Sequence, residues 1–284
     1  MPELPEVETI ARQLNQVLPG RVIKSVQVLR EKSFVGGKQE VFRLKISKVG
    51  RKAKNIIIEF TNQDLVILIH LKMTGQLIFM EGKKRVVGGH PTADWVNDLP
   101  SKHTRVIIKF IDGSTLFFND MRVFGWVKVV GKLQWLEDRK KFPPDVIDPE
   151  FTLKYLTEVL KRSSRAVKLV LVDQTKIGGL GNIYVNDALY LSHTKPTRKA
   201  NSLEVAEIGR LHKASVRVIK RGIEVGGASE NTYRHKNGMG GEYQEEFLIY
   251  KRVGERSGLS GCEGIIEKIK LGGRGTYYCP KCQQ

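Results

Sequence analysis

The chain begins with Met1-Pro2-Glu3-Leu4-Pro5-Glu6, and an apolar repeat at helical spacing follows directly. The repeat consists of Val7, Ile10, Ala11, Leu14 and Leu18, which predicts an amphipathic helix over residues 5–18. Pro5 suits the first turn of such a helix, because its missing N–H removes no helical hydrogen bond there. The opening residues therefore lead into a helix whose apolar stripe requires a core to pack against.

Strands between this helix and about residue 131 supply that core. They are short runs rich in β-branched and aromatic residues, and turn residues separate them. The predicted strands are residues 22–29, 42–48, 55–60, 65–71, 76–80, 105–111, 115–118 and 126–130. So many short strands after one helix indicate a β-sandwich or a barrel.

The second half of the chain has a different pattern. Residues 132–149 are charged and contain proline turns, which predicts a linker between domains. Helical patterns follow at residues 153–160, 164–172, 183–191 and 203–221. Residues 222–246 are rich in glycine and polar residues, as is typical of a long functional loop. The last 35 residues look like a β-hairpin finger.

The charge balance indicates a polyanionic partner. The chain has 48 Lys and Arg against 30 Asp and Glu, a net charge of +18. The excess is spread along the chain, as expected of a folded binding groove for nucleic acid. We find no apolar run of membrane-spanning length and no signal-peptide pattern, and therefore expect a cytoplasmic protein with no membrane association.

All three cysteines, Cys262, Cys279 and Cys282, lie near the end of the chain. An odd, clustered set in a cytosolic protein argues against a disulfide framework and favours metal binding.

Pro2 is a candidate nucleophile. Since proline is small, removal of Met1 is expected, and the chain would then begin with a free secondary amine. An α-amino group has a pKa near ~8, against ~10.4 for lysine, so a useful fraction is unprotonated at neutral pH. Attack of this amine on a sugar C1′ would give a cationic iminium, an electron sink for later elimination. Taken alone, however, Pro2 and Pro5 could simply stiffen a helix start.

The first nine residues, Met-Pro-Glu-Leu-Pro-Glu-Val-Glu-Thr, resemble the N-terminus of formamidopyrimidine-DNA glycosylases, and the resemblance extends along the whole chain. Leu4 favours this branch over the endonuclease VIII branch, where Gly is usual. The resemblance implies that Pro2 is the nucleophile and that Glu3 is the general acid/base near the deoxyribose ring oxygen. Glu6 would be a supporting acid.

Further matches concern eversion of the damaged nucleotide. Lys54 matches the essential lysine of the family, which binds phosphate beside the lesion. Met73, in His-Leu-Lys-Met-Thr-Gly, and Arg122 and Phe124, in Asp-Met-Arg-Val-Phe-Gly, match residues that fill the gap left by the everted base. Arg122 would hydrogen-bond the orphaned cytosine. Taken alone, Met73 and Phe124 would more often be core residues.

Six other residues match DNA-contacting positions. They are His103, Arg105, Asn182, Tyr250, Arg252 and Arg274. Asn182 follows a glycine-rich turn at the start of a predicted helix, where anions are favoured. Arg274, in the turn of the finger, would join the catalytic group by clamping the phosphates that flank the lesion with its two-pronged guanidinium.

The finger departs from the family at one position. The family spacing C-x₂-C-x₁₆-C-x₂-C places its first cysteine at Leu259. We predict one zinc ion held by Cys262, Cys279 and Cys282. Three thiolates could recruit Glu255, Glu263, His235 or water, or the hairpin could stand without metal as in zinc-free relatives.

Together these features predict an α+β fold with three parts and a linker. An N-terminal β-sandwich with a leading catalytic helix would occupy residues 1–131, and the linker residues 132–149. A helical helix–two-turns–helix domain with a lesion loop at residues 229–246 would occupy 150–248, and a zinc-finger-like β-hairpin 249–284.

The resemblance also implies an activity. The chain would be a monomeric glycosylase/lyase of base excision repair, acting on damaged double-stranded DNA. It would excise 8-oxoguanine and formamidopyrimidines through a proline Schiff base and β,δ-elimination. Two alternatives stay open: an endonuclease VIII-like enzyme for oxidised pyrimidines, and a DNA-binding protein that has lost catalysis.

Overall fold

The computed structural model describes residues 2–229 and 241–284, which divide into two compact units. The first unit runs to Lys141 and includes the described residues of Gly226–Glu242; the second contains Phe142–Val225 and Tyr243–Gln284. The boundary therefore falls inside the predicted linker. The described residues of Gly226–Glu242, which include part of the predicted lesion loop, belong to the first unit, whereas we had placed residues 150–248 in the helical domain.

The first unit combines helix α1 (Leu4–Val17) with two five-stranded sheets. The strands are β1 (Ile23–Val28), β2 (Phe34–Val35), β3 (Ile46–Lys52), β4 (Asn55–Phe60), β5 (Leu65–His70), β6 (Gly75–Glu81), β7 (Lys84–Gly89), β8 (Thr104–Phe110), β9 (Thr115–Asp120) and β10 (Trp126–Gly131). Their orders are β1-β8-β9-β6-β7 and β2-β10-β5-β4-β3. Neighbouring strands are antiparallel, except that β2 pairs parallel with β10.

One apolar core holds the two sheets and α1 together. Alternate residues of a strand face it, as Ile56, Ile58 and Phe60 do in β4, because strand side chains point to opposite faces in turn. From α1 the same core contains the predicted stripe: Val7, Ile10, Ala11 and Leu14, with Leu18 just beyond the helix. The predicted sandwich with a leading helix is confirmed.

Among the described residues of this unit, two strands and one α-helix were not predicted. β2 has only two residues and β7 ends in two glycines, so neither shows a strand-like alternation. Helix α2 (Lys132–Lys140) occupies half of the predicted linker. It buries only Trp135, so it has no apolar stripe from which a helix could be inferred.

The second unit has the predicted helices and hairpin. Its helices are α3 (Leu153–Lys161), α4 (Val167–Leu171), α5 (Asn182–Leu191) and α6 (Val205–Glu224). Its hairpin pairs β11 (Glu267–Leu271) with β12 (Arg274–Tyr278). Helix α5 is buried from Ile183 to Tyr190 and is thus the centre of the unit.

No helix within the described ranges is long and apolar enough to cross a membrane.

Candidate active site and nucleic-acid interface

The start of α1 brings Pro2, Glu3 and Glu6 together. Glu3 is the residue before the helix, and its carboxylate accepts from the Glu6 amide while its own amide donates to Glu6 Oε2 at 2.6 Å. This reciprocal capping fixes both carboxylates relative to the backbone of Pro2. Glu6 Oε1 accepts from the Ala228 amide at 2.7 Å, so the start of α1 is also bonded to the segment that enters the predicted lesion loop.

Lys54 lies in the two-residue turn between β3 and β4, and its side chain is only 6% exposed. Arg51 fixes this turn, because its guanidinium donates to Ala53 O at 2.7 Å and to Glu8 Oε2 of α1 at 2.7 Å. Burial acts to raise the pKa of Glu8, but the hydrogen bond and charge of Arg51 outweigh it and leave that pKa below its ordinary value. A charged pair thus ties the lysine turn to α1.

His70 lies beside this turn and is neutral. Burial lowers its pKa to about 3, and the positive charges of Lys72 and Lys54 act in the same direction. Its Nδ1 accepts from the Lys72 amide at 3.0 Å. Because this pKa leaves the imidazole uncharged at neutral pH, the candidate cation here is Lys54.

Met73 and Phe124 project from the surface, with 40% and 49% of each exposed. The Arg122 guanidinium carbon lies 4.6 Å from the centroid of the Phe124 ring, so the two side chains are stacked in a cation–π contact. These side chains are not core residues, although apolar residues in such contexts usually are. We call Met73, Arg122 and Phe124 the wedge.

Asp120 joins the two turns that carry the wedge. Its buried carboxylate accepts from the hydroxyl of Thr74 and from the amides of Arg122 (3.2 Å), Phe124 (2.8 Å) and Gly125 (2.7 Å). The Arg122 amide also donates to Thr74 Oγ1 at 3.1 Å. No sequence pattern assigned Asp120 a role, because backbone amides leave no signal in the sequence and Thr74 comes within reach only on folding.

His103 and Arg105 lie before and at the start of β8. His103 Nδ1 is 3.1 Å from Asp94 Oδ2. Arg105 donates to the backbone oxygens of Asp120 at 2.8 Å and Lys102 at 3.1 Å. Both side chains keep part of their surface exposed, and their phosphate contacts stay a prediction.

In the second unit, Asn182 and Arg274 lie close together. Asn182 is the first residue of α5, whose N-terminus has no side-chain cap. Its Nδ2 donates to the backbone oxygen of Gly275 at 3.2 Å, and Gly275 follows the exposed Arg274 in β12. An uncapped helix N-terminus beside an exposed arginine is suited to a phosphate group.

Lys168 supports this arrangement and was not predicted. It is buried in α4, and its ammonium donates to Gly275 O at 2.9 Å, Thr276 Oγ1 at 2.7 Å and Asn186 Oδ1 at 3.3 Å. It therefore fixes the start of β12 against α5. The only available sequence signal was a lysine within the apolar run Val-Lys-Leu-Val-Leu.

Tyr250 and Arg252 lead towards the finger. The Tyr250 ring packs against that of Tyr277 at 4.9 Å. Arg252 bonds Glu255 Oε2 at 2.8 Å and the backbone oxygen of Leu248 at 2.8 Å, so part of its guanidinium orders its own segment. Their DNA contacts stay a prediction, as do those of the lesion loop, of which residues 230–240 lie outside the described residues.

The three cysteines form one cluster, with all sulfurs within 4.8 Å of one another. Cys262 Sγ and Cys279 Sγ are 3.7 Å apart. Two thiolates on a tetrahedral zinc ion, with Zn–S bonds of about 2.3 Å, are separated by about 3.8 Å. The pKa of the Cys262 thiol is lowered, first by the Gly264 amide and then by the Ser257 side chain, whereas burial raises the pKa of the Cys282 thiol. The cluster fits a zinc ion.

No His, Asp or Glu among the described residues joins this cluster. Glu255 instead pairs with Arg252 at 2.8 Å, and Glu263 with Lys281 at 3.3 Å. His235 lies outside the described residues. Neither glutamate is thus placed as the fourth ligand we had considered.

Three family models match the chain. Residues 1–127 match the formamidopyrimidine-DNA glycosylase N-terminal domain, and residues 142–234 match the formamidopyrimidine-DNA glycosylase H2TH domain. Residues 262–284 match a zinc finger found in FPG and IleRS, so this match begins at Cys262 and excludes Leu259.

Whole-chain relatives agree with these matches. The formamidopyrimidine-DNA glycosylase of Pelotomaculum thermopropionicum is 37% identical over 291 residues, covering 100% of this chain and 99% of the relative. The Lactococcus lactis Fpg in complex with DNA containing an abasic site is similar in structure, with a TM-score of 0.87, 31% identity and full coverage of both chains. A variant of that protein bound to DNA containing Fapy-dG gives the same three values.

Proposed function

Because this chain belongs to the formamidopyrimidine-DNA glycosylase family, we propose that it excises 8-oxoguanine paired with cytosine, and formamidopyrimidines, from damaged duplex DNA. Members of this family are DNA glycosylases of base excision repair with abasic-site lyase activity, and this chain is one of them. The Lactococcus lactis relatives bound to abasic-site and Fapy-dG DNA support the choice of substrate.

The observation that carries the proposed mechanism is the capped start of α1, with Pro2 directly before the N-cap Glu3. Once Met1 is removed, the Pro2 amine attacks C1′ of the damaged nucleotide. The glycosidic bond breaks and its electron pair leaves with the base. The sugar ring then opens to give an iminium between Pro2 and C1′. Glu3 acts as the general acid/base that transfers the proton at the deoxyribose ring oxygen. Reciprocal capping supports this role, because it holds the Glu3 carboxylate in one orientation.

The iminium then drives strand cleavage. It withdraws electrons from the sugar, so that loss of a C2′ proton expels the 3′ phosphate, and a second elimination expels the 5′ phosphate. Lys54, Asn182 and Arg274 are proposed to hold these phosphates, because each places a donor or positive charge at a turn or helix start. Glu6 is proposed as the supporting acid.

The wedge is proposed to act in eversion of the damaged nucleotide, the step before bond cleavage. C1′ is inaccessible while the base is stacked in the duplex, and eversion costs a few kcal/mol of lost stacking. Met73 and Phe124 are proposed to fill the vacated space, and Arg122 to hydrogen-bond the unpaired cytosine. Their exposure and the Arg122–Phe124 stack support this role, since side chains that enter DNA must begin at the surface.

His103, Arg105, Tyr250 and Arg252 are proposed as supporting DNA contacts. The zinc ion, bound by the three cysteine thiolates, contributes structural stability to the hairpin rather than chemistry. We further propose that the protein works as a monomer in the cytoplasm.

Borohydride trapping tests the mechanism. Incubation with an 8-oxoguanine duplex and borohydride should give a covalent protein–DNA adduct, and Pro2→Gly should lose it entirely. Pro5→Ala is the matched control, because Pro5 lies in the same segment yet should retain trapping. If mass spectrometry of active protein finds Met1 attached and cleavage undiminished, the mechanism is wrong.

A comparison of substrates tests the proposed specificity. Efficient excision of thymine glycol but not 8-oxoguanine would favour the endonuclease VIII-like alternative.

A further inference from the structure

The cysteine cluster supplies three ligands to a metal that prefers four. Leu259 occupies the position where the family spacing places a cysteine, and it packs against the apolar cluster that contains Tyr277 and Cys279. Since a leucine side chain cannot coordinate zinc, the fourth ligand must come from another group.

Ser257 meets the geometric requirement. Its side-chain oxygen is 3.5 Å from Cys282 Sγ. In a tetrahedral site with Zn–S of about 2.3 Å and Zn–O of about 2.0 Å, sulfur and oxygen are separated by about 3.5 Å. The oxygen therefore lies at the distance from a thiolate that a fourth ligand would have.

Tyr190 of α5 holds this oxygen in place. Its hydroxyl is 2.8 Å from Ser257 Oγ and accepts from the amides of Gly258 at 2.8 Å and Leu259 at 3.1 Å. Because two amides occupy the lone pairs of the phenol oxygen, its hydrogen points towards Ser257. The serine is oriented in advance, as supporting hydrogen bonds typically orient metal ligands.

We propose that Ser257 Oγ is the fourth zinc ligand of the hairpin and replaces the cysteine missing at position 259. Burial favours serine over a water molecule, since Ser257 is only 8% exposed and Cys279 is buried. The proposal concerns metal binding alone and does not depend on the chemistry at Pro2.

Zinc affinity gives the first test. The full-length Ser257→Ala protein should bind zinc at least about tenfold more weakly than the parent in competition with a chromophoric chelator. Ser260→Ala is the matched control, because Ser260 is an exposed serine in the same turn and its loss should leave affinity unchanged. Equal affinity of Ser257→Ala and parent would overturn the proposal.

Cobalt substitution gives a second test that holds even if Ser257→Ala folds poorly. In the Co²⁺-loaded parent, thiolate-to-metal charge transfer should correspond to three thiolates with tetrahedral d–d bands. Ser257→Cys should raise that absorption to the level of four thiolates. If Ser257→Cys keeps the three-thiolate spectrum, position 257 does not face the metal and the proposal is wrong.

Discussion

Asp187 is a fully buried carboxyl on α5 that organises the chain leading to the finger. It accepts from the Tyr243 hydroxyl at 3.0 Å and from the amides of Ile249 at 3.1 Å, Leu248 at 3.4 Å and Tyr250 at 3.4 Å. Burial raises its pKa to about 6, although these donors act in the opposite direction. The folded protein therefore binds a proton here at a pH where an unfolded aspartate has lost it.

This raised pKa predicts a pH dependence of stability. The contribution of Asp187 is fully present below the ordinary pKa of 3.8 and is lost as pH rises through about 6. Since one pKa unit equals about 1.4 kcal/mol, the loss amounts to about 3 kcal/mol. In urea denaturation, the unfolding free energy of the parent relative to Asp187→Asn should fall by that order between pH 4 and pH 7.

Asp173→Asn is the control for this experiment. The Asp173 pKa is lowered, mainly by hydrogen bonding to Thr175, so its contribution is lost as pH falls instead. Asp173→Asn should therefore change the pH profile in the opposite sense. Parallel profiles for the parent and Asp187→Asn would show that the carboxyl does not titrate in this range.

Sequence patterns predicted the local setting of several proposed site residues. Pro2, Glu3 and Arg274 stand in short motifs, and the structure gives each the expected setting at a helix start or a hairpin turn. Asp187 and Lys168 could not be predicted in the same way. Their partners are backbone and side-chain groups up to 108 residues away, and only the packing of α4 and α5 brings those groups together.

Among the secondary-structure elements, the two turns of the wedge depend on a single carboxylate. Removing the Asp120 side chain would leave the amides of Phe124 and Gly125 without their acceptor and the Arg122 amide with Thr74 Oγ1 alone. Each buried unsatisfied group costs about 1–3 kcal/mol, which is enough to release both turns from their present conformation. Asp120 is thus a positioning residue for the wedge.

We expect Asp120→Ala to lower kcat/KM for an 8-oxoguanine duplex by about 100-fold, equivalent to about 2.7 kcal/mol. Cleavage of an abasic site in single-stranded DNA should change by no more than about threefold, because no base must be everted there. Gel-based cleavage assays on both substrates measure the ratio.

Asp112→Ala provides the control, since Asp112 holds the turn at the opposite end of the β8–β9 hairpin through Ser114. It should leave the ratio unchanged. An equal loss on both substrates would mean that Asp120 supports the fold of the unit as a whole rather than the wedge.

Element prediction succeeded where the pattern reflects one shared core. β4 and β5 consist largely of isoleucine, leucine and valine because they pair in the centre of a sheet, and both were predicted at almost their observed bounds. β2 owes its conformation to parallel pairing with β10. Such an edge strand is determined by its neighbour, and no pattern in two residues could have indicated it.

For the whole molecule, the net charge of +18 governs how DNA is bound before any lesion is recognised. Each phosphate neutralised by Lys or Arg releases counterions, so affinity falls with salt in proportion to the number of such contacts. A cation already paired within the protein should contribute little. Arg274 is exposed, whereas Lys140 of α2 is bonded to Glu137 at 2.6 Å.

These differences predict distinct salt dependences for an undamaged duplex. If about four phosphates are neutralised, affinity should fall on the order of 100-fold between 50 and 200 mM salt. Arg274→Ala should make the slope of log affinity against log salt shallower by about 0.9, while Lys140→Ala should leave it unchanged. Fluorescence anisotropy with a labelled duplex at five salt concentrations measures both slopes. A slope for Arg274→Ala equal to that of the parent would mean that Arg274 holds no phosphate, and the proposed clamp at the finger would then have to be abandoned.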